Sequence, residues 1–494
     1  MKFTPTIGLE IHAELKTKTK MFCSCLNDSL EKHPNTNICP VCLGHPGTLP
    51  VANKEAVGHV LKLGQALGAQ LADESRFDRK NYFYPDLPKG YQISQYPHPL
   101  VKAGILELPA SPAKRSKPSG KKVRITRVHL EEDAARLVHD SKSKATLVDF
   151  NRAGVPLLEL VTEPDMASAK EARGFAEELQ LILRYLGISD ADMEKGQMRV
   201  EANISVSVDS KLGTKVEVKN INSFRAVEKA IQYEIERQSK LLEKGERIKQ
   251  ETRGWDDIEE KTVSQRSKEE AHDYRYFPEP DLPPLKLSEV PEFSPELPEL
   301  PSQKRARFKK EYGVDGEKLE IFVRDKKLSE FFEAAVSEAQ KWASETEPAK
   351  IIELAVNYIT SDLSGLLRDK ELSAEEMSAS RRITPENFGE LMKMAALGEI
   401  SSRGAKDILR LMLETGQDPS EIAKSEGFLV TDDSAALEEI AKNVIAANSQ
   451  AVQDYKNGKE ASLQFLVGQA MREAKSKKLG ANPETLKELF QKAL

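Results

Sequence analysis

Four cysteines lie within residues 23–42, as Cys23-Ser-Cys25 and, after thirteen intervening residues, Cys39-Pro-Val-Cys42; the rest of the chain has none. Disulfides are rare in a large chain of a reducing compartment, whereas two closely spaced pairs of thiolates match tetrahedral, sulfur-rich zinc coordination. Four protein ligands leave such a metal no open position, so the expected zinc is structural and not catalytic. The competing reading is four reduced, uncoordinated thiols. A second group of candidates lies on strand-like segments. Glu10 and His12 are two apart and face the same way. Glu201 and Glu217 occupy polar positions of two later segments, with Arg199, Lys215 and Lys219 beside them, and residues 127–133 read Arg-Val-His-Leu-Glu-Glu-Asp. Carboxylates hold a hard divalent cation, and Lys or Arg neutralises phosphate oxygens, so this combination is what a magnesium–nucleotide site requires. An ordinary solvated sheet face laced with cross-strand ion pairs is the alternative.

Other chemistries find no foothold. There is no G-x-x-x-x-G-K-[ST] loop, no G-x-G-x-x-G after a strand, no G-x-S-x-G elbow and no H-E-x-x-H. Segments 79–97 and 272–281 are dense in aromatics and too rich in proline for helices. Such loops either stack a base and offer hydrogen bonds to a polar substrate, or simply pack on themselves.

The elements that must position these groups are legible as periodicities. Residues 6–15 alternate Ile7, Leu9, Ile11, Ala13 and Leu15 against Glu10, His12 and Glu14. Residues 198–208 alternate Met198, Val200, Ala202, Ile204, Val206 and Val208 against Arg199, Glu201, Asn203 and Ser205; Val216 and Val218 alternate with Lys215, Glu217 and Lys219. Period two with one apolar face predicts antiparallel strands. Between Ile125 and Val128 the apolar phase slips, which predicts a bulge. Helices are expected over 169–186, stopped at Gly187, and over 224–238, capped by Ser223. The first half therefore reads as α+β on a largely antiparallel sheet. Eight prolines between 278 and 301 mark a junction, after which the spacing is helical, with Thr384-Pro385 as a helix start and punctuation again at 415–419.

The chain has 494 residues and a net charge of −6, which excludes a uniformly basic nucleic-acid coat. Residues 441–494 nevertheless carry nine Lys/Arg against five Asp/Glu, a net +4, with Lys475, Lys477 and Lys478 clustered. Mean hydropathy is −0.51, and no run of about 18 apolar residues predicts a membrane span. With no signal-peptide pattern at the N-terminus, a cytoplasmic location is expected.

Several runs together resemble the B subunit of the tRNA-dependent amidotransferases that make Gln-tRNA(Gln) or Asn-tRNA(Asn) from the misacylated tRNA. They are Ile7-Gly-Leu-Glu-Ile-His12, residues 39–50, residues 79–86, His129-Leu-Glu-Glu-Asp133, residues 151–156, Glu163-Pro-Asp165, Arg199-Val-Glu-Ala-Asn203, residues 219–224 and residues 273–281, in order over about residues 5–285. The resemblance implies a cradle domain with the zinc knuckle over 1–292, a helical domain over 293–415 and a tRNA-binding tail over 416–494. It implies ATP-dependent phosphorylation of the side-chain carboxylate of tRNA-linked glutamate or aspartate. Ammonia from glutamine would then attack, supplied by the family's glutaminase (the A chain) in a heterotrimer completed by a C chain. The family's catalytic and magnesium set maps onto Glu10, His12, Glu132, Glu201 and Glu217, with Glu131 competing for the place of Glu132. Lys215, Lys219 and Arg199 are the expected nucleotide-binding cations, and Cys23, Cys25, Cys39 and Cys42 the structural zinc ligands. A related archaeal-type protein with an extra inserted domain finds no room for it in residues 285–302. A non-catalytic, zinc-stabilised tRNA-binding scaffold is the competing function.

Overall fold

The computed structural model describes residues 3–109, 120–140, 142, 144–208, 212–267, 274–287, 296–341, 348–430, 434–477, 481 and 483–494. Of the segments read above, residues 272 and 273, residues 288–295 with two of the eight prolines, and Lys478 lie outside these, as does the side chain of Lys475. The chain divides into two compact units, Met1–Gln303 and Lys304–Leu494. Among the described residues no helix is long and apolar enough to cross a membrane.

The first unit is α+β. It opens with β1 (Thr4–Glu14) and α1 (Lys54–Ala66), followed by β2 (Gln70–Leu71), β3 (Glu74–Ser75), β4 (Asp78–Asn81), β5 (Tyr91–Ser94), β6 (Val101–Glu107) and β7 (Lys122–Glu132). A small separate hairpin, β8 (Arg136–Asp140) and β9 (Ala145–Asp149), precedes β10 (Pro156–Thr162). Next come α2 (Ala169–Tyr185), β11 (Met198–Ser207), β12 (Val216–Ile221) and α3 (Phe224–Glu243). The unit continues through β13 (Glu251–Asp256), β14 (Lys261–Ser267), β15 (Phe277–Pro278) and β16 (Leu285–Lys286). The main sheet runs β14-β13-β12-β11-β1-β10-β7-β5-β4-β15, with β6 beside β7 and β2 beside β6. Of its neighbours, β12 and β13 are parallel and the rest antiparallel.

Hydrophobic alternation explains this arrangement. Ile7, Leu9 and Ile11 of β1 and Val200, Ala202 and Ile204 of β11 are buried with Phe175, Leu179 and Leu183 of α2 and Val227, Ala230 and Ile231 of α3 in one core. Full burial of each large aliphatic or aromatic side chain contributes roughly 1.5–3 kcal/mol, so this face fixes the register and leaves the polar residues on the other. The caps fall where local chemistry placed them. Ser223 accepts from the amide of Ala226 at 3.0 Å, and α2 ends at Leu186 with Gly187 at φ +70. The β7–β10 register skips Thr126, so the bulge is where the apolar phase slipped.

The second unit is helical. It takes in most of α4 (Pro301–Tyr312), then α5 (Gly316–Arg324), α6 (Lys326–Lys341) and α7 (Pro348–Asn357). A π-helical turn, Tyr358–Leu363, leads to α8 (Ser364–Asp369) and α9 (Ala374–Ser380). The remaining helices are α10 (Pro385–Leu397), α11 (Ser402–Thr415), α12 (Pro419–Ser425), α13 (Ser434–Ala447), α14 (Ser449–Lys456), α15 (Glu460–Ser476) and α16 (Pro483–Ala493). Thr384 caps α10, with Pro385 at its first helical position. Phe308, Phe322 and Phe332 pack ring against ring in the early helices, and Leu437, Ile440, Leu466 and Phe490 form a separate core in the last four.

Candidate active site

The polar face of β1 is the axis of the site. Glu10 stands opposite Glu201 of β11, and His12 opposite Arg199. On its other edge His12 faces Glu159 of β10, which in turn faces His129 of β7. Directly opposed residues of antiparallel strands share a face, so four strands deliver ionisable groups to one surface. Glu217 of β12 joins from the position opposite Asn203.

Two groups form there. Glu10, Glu201 and Glu217 each offer a carboxylate oxygen within 4.8 Å of the others. Asn203 donates to Glu10 at 2.9 Å and Thr252 to Glu217 at 2.7 Å. The Lys219 ammonium lies 2.8 Å from Glu201 and 3.5 Å from Glu217. Burial, then the charges of Glu159, Glu201 and Glu217, push the Glu10 carboxyl above the usual carboxylate range. Burial works against the Lys219 ammonium, but Glu201 and Glu217 outweigh it and hold its pKa above an ordinary lysine's. Carboxylates that crowd until one resists ionising, with acceptor oxygens to spare, suit a hard divalent cation.

The second group is His12, Glu131 and Glu159, also within 4.8 Å of one another. His12 Nε2 is 3.4 Å from Glu131 and 3.5 Å from Glu159. Burial disfavours the imidazolium, yet the bonds to the two carboxylates outweigh it and raise the His12 pKa. Burial would likewise raise the two carboxyls, but the histidines hold Glu131 and Glu159 below the usual range. A cation here would take the place of the imidazole proton.

One expectation needs correcting. Glu132 does not join either group. Successive side chains of a strand point to opposite faces, and His129, opposite Glu159, sets the phase, so Glu131 turns toward His12 and Glu132 away. Glu132 instead pairs with the Lys89 ammonium and accepts from the amide of Ile93 at 3.0 Å. Of the three expected cations, Lys219 touches the carboxylate trio. Arg199 turns to Asp133, and Lys215 is exposed, one residue ahead of β12.

The four cysteine sulfurs lie within 4.8 Å of one another. A backbone bridge between Thr19 and Leu26 closes the loop that carries Cys23 and Cys25. The Cys39–Cys42 turn folds back so that the Cys39 amide donates to Cys42 Sγ at 3.2 Å. The thiol of Cys42 is drawn down to about 5, first by the hydrogen bond from Cys23, then, against burial, by the Cys39 amide and the Lys20 ammonium. Lys20 is fully buried, with Nζ 3.9 Å from that sulfur and 3.3 Å from the Phe150 carbonyl. Gly154, at φ +84, lets the backbone pass: a Cβ there would sit 3.4 Å from Cys42 Cβ and 3.6 Å from Lys20 Cδ. Converging soft donors with one thiol already acidified fit a zinc ion and leave it no open position.

The two aromatic loops converge beside the carboxylates because β15 pairs with β4. Tyr82 meets Tyr274 at 6.0 Å, and Tyr96 stacks on Tyr276 at 5.5 Å. Burial and then the Glu131 charge push the phenols of Tyr82 and Tyr276 above the ordinary tyrosine value. Sequence reasoning missed Glu159 and gave His129 no role. The signal for Glu159 was a lone acid inside the apolar strand Leu157-Leu158-Glu159-Leu160-Val161, since a buried charge demands a partner.

Comparison with known proteins gives concordant matches. A family model described as the GatB/GatE catalytic domain matches residues 5–291, and one described as the GatB domain matches residues 330–494. The chain is 48% identical to the B subunit of the aspartyl/glutamyl-tRNA(Asn/Gln) amidotransferase of Thermotoga sp. (strain RQ2), covering 100% of this chain and 99% of that protein. Identity to the protein of the same description from Thermotoga maritima is 47%, with 100% and 99% covered. For Crocosphaera subtropica it is 43%, with 100% and 98% covered.

Proposed function

The chain belongs to the family of B subunits of the tRNA-dependent amidotransferases, and from that premise we propose that it phosphorylates and then amidates glutamate or aspartate esterified to a tRNA. A carboxylate is a poor electrophile because its oxygen is a poor leaving group. In the proposed reaction a side-chain carboxylate oxygen attacks the γ-phosphorus of ATP, the bond to the bridging oxygen breaks and ADP leaves. Ammonia then adds to the acyl phosphate carbon, phosphate departs with the bonding pair, and loss of a proton leaves the amide.

One observation carries this reading: Glu10, Glu201 and Glu217, from three strands, converge within 4.8 Å beside the His12, Glu131 and Glu159 group. These six side chains would hold magnesium, which would neutralise phosphoryl oxygens of the nucleotide. Lys219, paired with Glu201 and Glu217, would offset part of the negative charge when no nucleotide is bound and meet a phosphate when one is. The aromatic pairs Tyr82–Tyr274 and Tyr96–Tyr276 wall the same face and offer phenol hydroxyls to a polar substrate. The four cysteines would hold a structural zinc that keeps residues 18–45 folded against the 148–154 segment. The positive excess of residues 441–494, a net +4, suits tRNA. A glutaminase partner, the A chain, would supply ammonia, a C chain would complete the assembly, and the cytoplasm supplies every substrate.

The test is Glu10→Gln and Glu217→Gln in the assembled enzyme, offered both Glu-tRNA(Gln) and Asp-tRNA(Asn). Amidation that requires ATP should fall at least about 100-fold, roughly 2.7 kcal/mol of transition-state stabilisation, while tRNA affinity stays within about twofold. Undiminished amidation would favour the scaffold instead. The wild-type arm also reports which misacylated tRNA is the substrate.

A further inference from the structure

Behind the His12, Glu131 and Glu159 group sits a second imidazole with no assigned part. His129 is 1% exposed. Its Nε2 lies 3.3 Å from Glu159 Oε2 and 3.8 Å from Glu131 Oε2. Glu131 presents Oε1 to His12, while its Oε2 faces His129 and accepts from the Ser94 hydroxyl at 3.4 Å. Glu159 Oε1 is held by Arg127 at 3.3 Å, and its Oε2 lies between the two imidazoles, 3.5 Å from His12 Nε2. Its other nitrogen, Nδ1, is buried without a partner. A proton on Nδ1 alone would be a buried, unpaired donor, whereas a bare lone pair there is tolerated. Nε2 is therefore the donor in either protonation state, and it points at the two carboxylates.

We propose that His129 is a positioning residue for the cation site: its Nε2–H braces Glu159 Oε2 and, at longer range, Glu131 Oε2 from behind, and so fixes both carboxylates where they meet His12. The inference rests on the proposed metal reading of that trio and extends it to a residue that would not touch the metal. Position supports it. His129 is directly opposite Glu159 and two residues before Glu131 on β7, so backbone register alone aims it at both carboxylates. Ligating carboxylates free to rotate bind a cation less tightly, and loss of such a bracing partner lowers affinity about ten- to a hundredfold.

The probe is Mn²⁺ alone, titrated calorimetrically into the full chain and repeated with His12→Ala to identify the site. His129→Gln carries an amide nitrogen near the place of Nε2; His129→Met fills the space without a donor; His129→Asn shortens the donor's reach. Mn²⁺ affinity should stay within about threefold in the glutamine variant and fall about ten- to a hundredfold in whichever of the methionine and asparagine variants keeps the wild-type circular dichroism. Unchanged affinity in a folded methionine or asparagine variant overturns the inference, as does a loss in the glutamine variant equal to theirs. Should both of those variants misfold, the glutamine variant alone decides, by retaining or losing the site. No wild-type Mn²⁺ binding sensitive to His12→Ala would sink the metal reading itself, a different result from a site that binds and ignores position 129.

Discussion

Glu14 continues the row of Glu10 and His12 along β1, but it ends among Asp133, Arg199 and Arg152 and not at a cluster of acids. Its carboxyl is pushed up to about 7, first by burial and then by Asp133, against a hydrogen bond from Ser29 at 2.6 Å. The folded-state pKa thus exceeds the unfolded one. Below about pH 4.5 both states hold the proton and no stability is lost. As the pH rises toward 7 the unfolded chain releases the proton while the folded one keeps it, so stability falls, by about 3 kcal/mol in full. Glu14→Gln, neutral in both states, should gain on the wild type through that window and hold its advantage above it. Urea unfolding at about pH 4.5, 6 and 8 in chelator measures this; an advantage independent of pH would mean that Glu14 is ionised in the folded protein. At this scale Glu10, His12, Glu201 and Glu217 were legible because period two assigns a face. Choosing between Glu131 and Glu132 was not, since a bulge near Thr126 resets the phase by one residue and only the pairing of His129 with Glu159 fixes it.

Among elements, the cysteine loops depend most on something other than their own packing. Leu26 and Leu49 are exposed, and the segment from 15 to 50 contains only a bridge and turns. A stretch with little regular structure and few buried apolar groups needs a cross-link, which zinc would supply. Protein purified without chelator should hold about one zinc per chain by elemental analysis. Cys42→Ser should fall below about half an equivalent and unfold at a lower temperature. Zinc-free wild type of undiminished stability would return the four thiols to the uncoordinated reading. The caps and stops at Ser223, Gly187, Thr384 and Pro385 were readable because they are local: a side chain bonds an amide three residues away, or a ring presets one dihedral. How β4 and β15 bring two aromatic loops together was not readable, because some 200 residues separate them and nothing local encodes the pairing.

At the scale of the whole molecule, charge is distributed unevenly along the chain, and residues 441–494 carry a positive excess. Lys456 and Arg472 are exposed. Changing both to glutamate should weaken tRNA binding by a similar factor for every tRNA tested and reduce the slope of log affinity against log salt by about 0.7–0.9 for each phosphate no longer neutralised. ATP hydrolysis and tRNA-independent reactions should be unaffected. An unchanged salt slope would move the tRNA surface elsewhere.

Hydrophobic periodicity, turn chemistry and side-chain type were enough to determine that a half-buried antiparallel sheet carries acids on one face, that four thiols form one cluster of pairs, and that helices follow the proline-rich junction. Those properties are written in residues a few positions apart. The tertiary structure alone decided that the acids divide between two groups instead of one, that Glu159 joins and Glu132 leaves, and that His129 stands behind the group of His12. Which strand lies beside which is set by packing across the whole core, and a single step of register exchanges every side chain between the two faces.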